Sequence, residues 1–222
     1  ETPAPTPTPT ATPSPTHTAT PTPTVTPTPT PTVTPSPTPT PTIISQSITV
    51  TLNASSDDAY QDGANNITSP TTAIGGNGSY YAGMRFANVT IPKNATIRNA
   101  YVQVYVPSTT WIGISYDIYA EAVGNSSTFS TSALPSGRTG TTAKTAHSSN
   151  SQWLANTWQQ LPSIVSAVQE VVNRPDWASG NAMSVLLHGT GGQYGRKFVR
   201  SYDGNALQAP MLVVDFDYVS GG

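Results

Sequence analysis

Apolar and polar residues alternate along most of the chain after residue 42, which is the pattern of β-strands with one buried face. The alternation is strongest in segment 95–106, which is also rich in the β-branched and aromatic residues that favour strands. Further segments of the same kind each predict a strand, namely 47–52, 80–86, 112–122, 182–187, 197–202 and 211–218. The pattern therefore predicts an all-β domain with antiparallel strands.

One segment departs from this alternation. Apolar residues recur at helical spacing from Ile164 to Val172, and Pro162 suits the first turn of a helix. Pro175 ends the segment, because the residue before a proline leaves the α region. We expect one main helix at about 162–174, packed on an antiparallel β-sandwich. Segment 128–151 is rich in Ser, Thr and Gly, and we expect it to be a long loop.

Residues 1–42 follow a different pattern, with Thr at nearly every even position and Pro at nearly every odd position from 3 onward. Such a segment cannot build a hydrophobic core, and its prolines keep it extended. At ~3.1 Å per residue it reaches on the order of 130 Å. Two conformations remain open, a polyproline II rod and an edge strand that pairs over part of its length. The expected organisation is an extended Thr/Pro arm at 1–42 and a β-sandwich domain at 43–222.

The arm has the composition of an O-glycosylated stalk. The O-glycosylation candidates are Thr6, Thr8, Thr10, Thr22, Thr24, Thr28, Thr30, Thr38 and Thr40. The domain contains six Asn-x-Ser/Thr sequons, which are N-glycosylation candidates at Asn53, Asn66, Asn77, Asn88, Asn94 and Asn125. Together these features favour a glycosylated protein at the outside of a cell.

Four interruptions of the Thr/Pro repeat place a small or branched apolar residue where Pro is expected. They are Ala11, Ala19, Val25 and Val33. The first two and the last two are each eight residues apart. We expect them to mark the register of contacts between the arm and a neighbouring subunit.

Charge and composition limit the classes of partner. Only 9% of the residues are charged and the net charge is −2, so nothing indicates binding to nucleic acid or an anionic membrane. The short basic cluster Arg196, Lys197 and Arg200 is interpreted as a solvated loop or strand. The chain has no cysteine and no apolar run of membrane-spanning length. It begins at Glu1 without Met or a signal peptide, as a processed secreted protein would.

Candidate chemistry is sparse. The three histidines have no metal-ligand spacing, and no nucleophile motif occurs, so we expect no enzymatic activity and no cofactor. The exception is a candidate structural calcium at Asp57, Asp58 and Asp62, since carboxylates are hard oxygen ligands; an Asx turn is the alternative. Candidate sugar contacts among the aromatic residues are Tyr80, Tyr81, Trp111 and Tyr194, and core packing is the alternative for each.

Several segments carry a family resemblance. They are Ser55-Ser-Asp-Asp-Ala-Tyr60, Gly83-Met-Arg-Phe86, the segment 89–104, the segment 172–180, Ser201-Tyr-Asp-Gly204 and the segment 209–215, in that order. The stretch 55–217 resembles the jelly-roll β-sandwich modules of secreted prokaryotic surface proteins, including carbohydrate-binding modules and the type named for its DNRLRE motif. The resemblance implies a jelly-roll-like sandwich, which hosts binding, scaffold and adhesion roles alike.

Three functions follow from these features as expectations. The first is a structural subunit of an extracellular glycosylated filament or surface layer, a homopolymer in which the arm docks on neighbouring subunits. The second is a carbohydrate-binding or adhesion module carried on a Thr/Pro stalk. The third is an unrecognised hydrolase, for which no pair of positioned carboxylates is evident.

Overall fold

The computed structural model describes residues 1–17 and 41–219. The chain divides into two units, Glu1–Thr38 and Pro39–Gly222. In the first unit, residues 1–17 are exposed and form neither helix nor strand. In the second unit, the buried apolar side chains of the described residues lie between Leu52 and Phe216.

The second unit is built from twelve strands and one α-helix within the described residues. The elements are β1 Ile43–Thr51, β2 Asp58–Gln61, β3 Asn65–Asn66, β4 Thr71–Gly75, β5 Tyr81–Phe86, β6 Thr96–Val106, β7 Ile114–Glu121, β8 Gly140–Ser149, β9 Thr157–Gln160, α1 Val165–Val172, β10 Met183–Gly189, β11 Arg196–Arg200 and β12 Met211–Val219.

Three antiparallel sheets contain these strands. A four-stranded sheet has the order β1-β12-β6-β9, a six-stranded sheet has the order β3-β2-β5-β10-β7-β8, and β4 pairs with β11. Side chains on β6 alternate between exposed or half-buried and buried, and its buried residues join those of β7 and β12 in one core. The predicted all-β sandwich with one helix is therefore confirmed.

Strand register defines two ends of the four-stranded sheet. Ile43 pairs with Val219, and Asp217 pairs with Thr96, so the chain enters β1 and leaves β12 at the same end. We call this the N-terminal end. The opposite end, where β1 finishes and β6 runs on to Val106, is called the distal end.

The helix agrees with its predicted position, but the long-loop prediction for 128–151 is wrong in part. Ten residues of that segment form β8, the outermost strand beside β7. Its sequence gives no strong alternation of apolar and polar residues, because its half-buried face carries Thr, Ala, His and Ser rather than large apolar residues. The helix packs against this strand. The Glu170 carboxylate accepts hydrogen bonds from the amides of Thr142 and Ala143, both at 2.9 Å.

The edges of the sheets differ in length and protection. Strands β3 and β9 are edge strands of only two and four residues. Strand β8 has ten residues, with two of its amides bonded to Glu170. Strand β1 has nine residues and pairs only with β12, and most of its side chains are exposed. Within the described residues, β1 is therefore the long edge that has no such cover.

Candidate functional site

Two connections meet at the distal end of the sandwich. Residues 107–113 join β6 to β7, and residues 190–195 join β10 to β11. The connections touch, because a methyl group added at Gly195 would lie 3.1 Å from the carbonyl oxygen of Gly113. The first connection is fixed by paired hydrogen bonds between the backbones of Thr110 and Trp153, at 2.9 and 3.0 Å. The backbone therefore places the two connections side by side.

These two connections carry the most exposed aromatic side chains of the described domain. Trp111 is 72% exposed and Tyr194 is 77% exposed. Ile112, next to Trp111, is 48% exposed, and Phe198 on the adjoining strand β11 is 38% exposed. Large apolar groups clustered on a surface mark an interaction site more often than scattered ones do. This cluster therefore defines the candidate site.

A groove of about 460 Å³ lies at the cluster. Residues 107–110 and Ile112 form one wall, and Arg196, Phe198 and Arg200 of β11 form the other. The three β11 side chains share a face because side chains alternate along a strand. Lys197 and Val199 point the other way and are buried. The volume lies within the range of ordinary ligand pockets.

The two arginines of the groove differ in their contacts. Arg196 forms an ion pair with Asp62 at 2.7 Å, and its guanidinium lies 5.6 Å from the centre of the Phe198 ring. Arg200 makes no ion pair with any described residue, and its Nε is buried without a hydrogen-bond partner. Arg200 therefore brings to the groove a positive charge that no acidic side chain among the described residues compensates.

Lys197 contradicts the solvated interpretation of the basic cluster. Its side chain is buried between the sheets, where Nζ donates a hydrogen bond to the Ser151 carbonyl oxygen at 2.5 Å and lies 4.6 Å from the centre of the Trp153 ring. Burial lowers the pKa of Lys197. It also lowers the pKa of His147, with a smaller contribution from the Lys197 charge. The cluster thus separates into two groove arginines and one interior lysine.

The candidate sugar contacts separate in the same way. Trp111 and Tyr194 are exposed on the two connections that flank the groove. Tyr80 is buried beneath Arg196, whose guanidinium lies 5.3 Å from the ring centre. Tyr81 is half-buried on the six-stranded sheet and stacks on His188 with ring centres 4.4 Å apart. Core or sheet packing therefore accounts for Tyr80 and Tyr81, while sugar binding at Trp111 and Tyr194 stays a prediction.

The calcium candidates do not converge as a metal site. Asp57 is buried and binds Arg85 at 2.6 Å, whereas Asp62 binds Arg196. No group of three or more acidic, His or Cys side chains suited to a metal ion occurs in the described residues. One oxygen each of Asp57 and Asp58 is nevertheless buried without a partner. Asp57 and Asp58 are thus consecutive buried residues, whereas Asp62 pairs with Arg196, a residue that lines the groove.

Asp58 has the most perturbed carboxyl group. Burial raises the pKa of Asp58 to about 7, and the charges of Asp203 and Asp57 add to the effect. The Tyr202 amide and the Thr72 hydroxyl, both 3.2 Å from Oδ2, oppose it by stabilising the carboxylate. Oδ1 has no partner among the described residues. This oxygen is therefore the natural place for a proton or a cation.

The glycosylation candidates are placed unevenly. Asn53, Asn88, Asn94 and Asn125 are exposed. Asn66 is half-buried, and its Nδ2 donates to Asp62 and to the Ala64 carbonyl oxygen. Asn77 is also half-buried, and its Oδ1 accepts a hydrogen bond from the Ser79 amide. Asn88 and Asn94 have positive φ, which by itself explains the choice of Asn at both turns.

The arm candidates lie partly outside the described residues. Thr6, Thr8, Thr10 and Ala11 are exposed. The remaining O-glycosylation candidates and assembly residues lie outside the described residues; they are Thr22, Thr24, Thr28, Thr30, Thr38, Thr40, Ala19, Val25 and Val33.

Sequence reasoning missed two members of the groove, Ile112 and Phe198, and it did not place Arg200 on the same face as Phe198. The run Arg196-Lys-Phe-Val-Arg200 contained the necessary pattern, because alternate residues of a strand share a face. The neighbouring wall at residues 107–112 was not detectable, since it reaches β11 only through the tertiary fold.

Comparison with known proteins adds little. No family model matches this chain, and no curated protein matches it. Among solved structures, the chain is similar to one from Desmodium yellow mottle tymovirus, with 8% identity, a TM-score of 0.32, and coverage of 86% of this chain and 95% of that one. A likeness at this TM-score carries no argument about function. None of the helices in the described part of the chain has the length and hydropathy of a membrane span.

Proposed function

We propose that this chain is a structural subunit of an extracellular glycosylated filament or surface layer, in which the arm of one subunit docks on a neighbouring subunit. One observation carries the proposal. The arm joins the sandwich at the N-terminal end, at Ile43, whereas the exposed groove lies at the distal end. A contact from the arm of one copy to the distal end of the next is heterologous and does not close on itself, so it generates a filament.

The composition of the arm supports the same proposal. Its Thr/Pro repeat suits a glycosylated rod, and four of the six domain sequons have exposed asparagines. Sugar on both segments would coat a polymer and protect it outside the cell. This glycosylation is itself part of the proposal.

Removal of the arm tests this function. The full chain should form filaments visible by negative-stain microscopy, whereas a chain that starts at residue 41 should remain a folded monomer in size-exclusion chromatography. Val25→Asp with Val33→Asp should weaken assembly without changing the thermal midpoint of the domain. If the shortened chain still forms filaments of normal length, the arm is only a stalk and the proposal is wrong.

A second function is favoured by one specific feature of the groove. Trp111 and Tyr194 are exposed aromatic side chains on the connections that flank the groove, and exposed aromatic rings can stack on sugar rings, as in a carbohydrate-binding or adhesion module on a stalk. A glycan panel applied to the chain that starts at residue 41 tests it. Saturable binding to one class of glycan, lost in Trp111→Ala, would favour this function over assembly.

A further inference from the structure

We propose that the distal groove binds the Thr/Pro arm of a second copy of this chain in the polyproline II conformation. The inference rests on the proposed function, because it names the surface that receives the arm. The groove is defined by residues 107–110, Ile112 and the outer face of β11, with Trp111 and Tyr194 beside it.

The chemistry of the arm suits such a groove. Polyproline II has no internal hydrogen bonds, so its carbonyl groups are free acceptors. Its conformation is set in advance by proline, so docking costs less conformational entropy than docking of a flexible peptide. Proline-rich segments bind grooves lined by aromatic side chains, into which their rings pack. Residues 1–17 of the arm are exposed and form neither helix nor strand, and they contain neither Lys nor Arg.

The groove offers both kinds of contact. Phe198 provides an aromatic face within the groove, and Ile112 provides an aliphatic surface against a proline ring. Trp111 is the neighbour of two lining residues, Thr110 and Ile112, and Tyr194 precedes β11 by two residues, so both exposed rings flank the groove. Hydrogen-bond donors for the arm carbonyls are also present. The indole N–H of Trp111 is a donor, and Arg200 has a guanidinium without an acidic partner among the described residues. Acceptors, donors and apolar surfaces therefore match between the two segments.

The arm is favoured over a free sugar by two features. Every copy of the chain carries the arm, so each assembled neighbour presents it at high effective concentration. The groove also combines Ile112 and Phe198, and aliphatic surface suits a proline ring better than a hydroxylated sugar. A free glycan is therefore the alternative outcome of the test rather than the occupant that we propose.

The docked stretch must lack sugar. Polyproline II repeats every three residues whereas the Thr/Pro pattern repeats every two, so each face of the rod contains both Pro and Thr. At least one Thr in any docked stretch then faces the groove wall, where an attached glycan would overlap it. We expect a gap in O-glycosylation along the arm at the docked stretch.

A peptide-binding experiment tests the inference. The receptor is the chain that starts at residue 41, which retains every buried apolar residue of the domain. The probe is a fluorescent, unmodified peptide of residues 2–17, measured by anisotropy. The peptide should bind, and a version with every Pro replaced by Ala should not. Trp111→Ala should weaken binding by about tenfold or more, as expected for an aromatic anchor.

Trp158→Ala is the matched control. Trp158 is another exposed tryptophan, 39% exposed, but it lies on β9 with its ring edge-on to Tyr105. This variant should bind the peptide like the unchanged domain. Equal loss in both variants, or binding of the Ala-substituted peptide, would overturn the inference. So would binding of a glycan from the panel with no binding of the peptide.

The same substitutions in the full chain separate this inference from the proposed function. Filaments should be lost with Trp111→Ala and kept with Trp158→Ala. Normal filaments in Trp111→Ala would overturn groove docking while leaving the structural function intact. If the unchanged chain forms no filaments yet the peptide binds through Trp111, the proposed function is wrong and the groove still recognises the arm.

Discussion

Replacement of Asp58 by Asn should make the domain more stable at alkaline pH. It should also remove the fall in stability that we expect for the unchanged chain as the pH rises from about 4 to about 7. Asn keeps an oxygen for the Thr72 hydroxyl and the Tyr202 amide, which bind Oδ2 in the unchanged chain. It removes the buried negative charge, whose cost raises the pKa of Asp58 from 3.8 to about 7.

The sign of the effect follows from proton binding. Between pH 3.8 and about 7 the folded state holds a proton that the unfolded state releases, so stability falls as the pH rises through this window. The pKa of Asp58 is higher by about three pH units in the folded state than in the unfolded state. This difference corresponds to on the order of 4 kcal/mol in the free energy of unfolding, because one pH unit corresponds to about 1.36 kcal/mol. Asn places an amide where Oδ1 has no partner, which costs about 1–3 kcal/mol. The net gain expected at pH 8 is therefore on the order of 1–3 kcal/mol.

Urea denaturation at several pH values from about 4.5 to 8, in chelator, measures the effect. The unchanged chain should lose stability across this range relative to Asp58→Asn. Asp117→Asn, a substitution of a half-buried aspartate on β7, should keep the pH dependence of the unchanged chain. An Asp58→Asn domain that is less stable than the unchanged one at pH 8 in chelator would refute the reasoning. Calcium that stabilises the unchanged chain but not Asp58→Asn would instead identify Asp58 as a ligand.

Three further predictions concern the interior and the surface. Lys197→Met should leave the domain as stable or stabilise it by about 1 kcal/mol at neutral pH in urea denaturation, because it removes a buried charge that has no acidic partner among the described residues. Gly204→Ala should lower the thermal midpoint, at a cost of about 1–3 kcal/mol, because the added methyl group overlaps the Pro70 carbonyl oxygen; an unchanged midpoint would contradict the close approach. Native protein should exceed the bare mass of 23.2 kDa, and glycopeptide mass spectrometry should find Asn53 occupied and Asn66 bare, since Nδ2 of Asn66 is already bonded.

Strands with strong contrast between their faces were predictable from the sequence. Strand β6 alternates residues such as Val102 and Val104, which are buried, with half-buried neighbours, and its bounds lie within one residue of the predicted segment. Strand β8 was not predictable, because its inner face holds small polar residues that α1 covers. That cover depends on contacts between distant segments, which alternation along one strand does not report.

The candidate site was predictable only in its exposed parts. Trp111 and Tyr194 stand in segments without apolar periodicity, which favours loops and exposure. Tyr80 occupies a similar context in the sequence, yet it is covered by Arg196 from a strand more than a hundred residues later. The burial of Lys197 was unpredictable for the same reason, since its acceptor is the carbonyl oxygen of Ser151 on another connection. Long-range contacts decided each of these outcomes.

The carboxylate of Glu170 has a consequence for how many copies can share one continuous sheet. A ribbon that grows without limit needs two open edges on every copy, one to accept and one to offer a strand. On β8, the amides of Thr142 and Ala143 are already bonded to Glu170, so these two donors cannot pair with an incoming strand. Two copies that meet through β1 would pair their long edge strands, and the opposite edge of that sheet is β9, which has only four residues. Growth beyond such a pair is thereby disfavoured at the short edge β9 in one sheet and at the two bonded amides of β8 in the other, even though β1 itself carries neither Pro nor Lys.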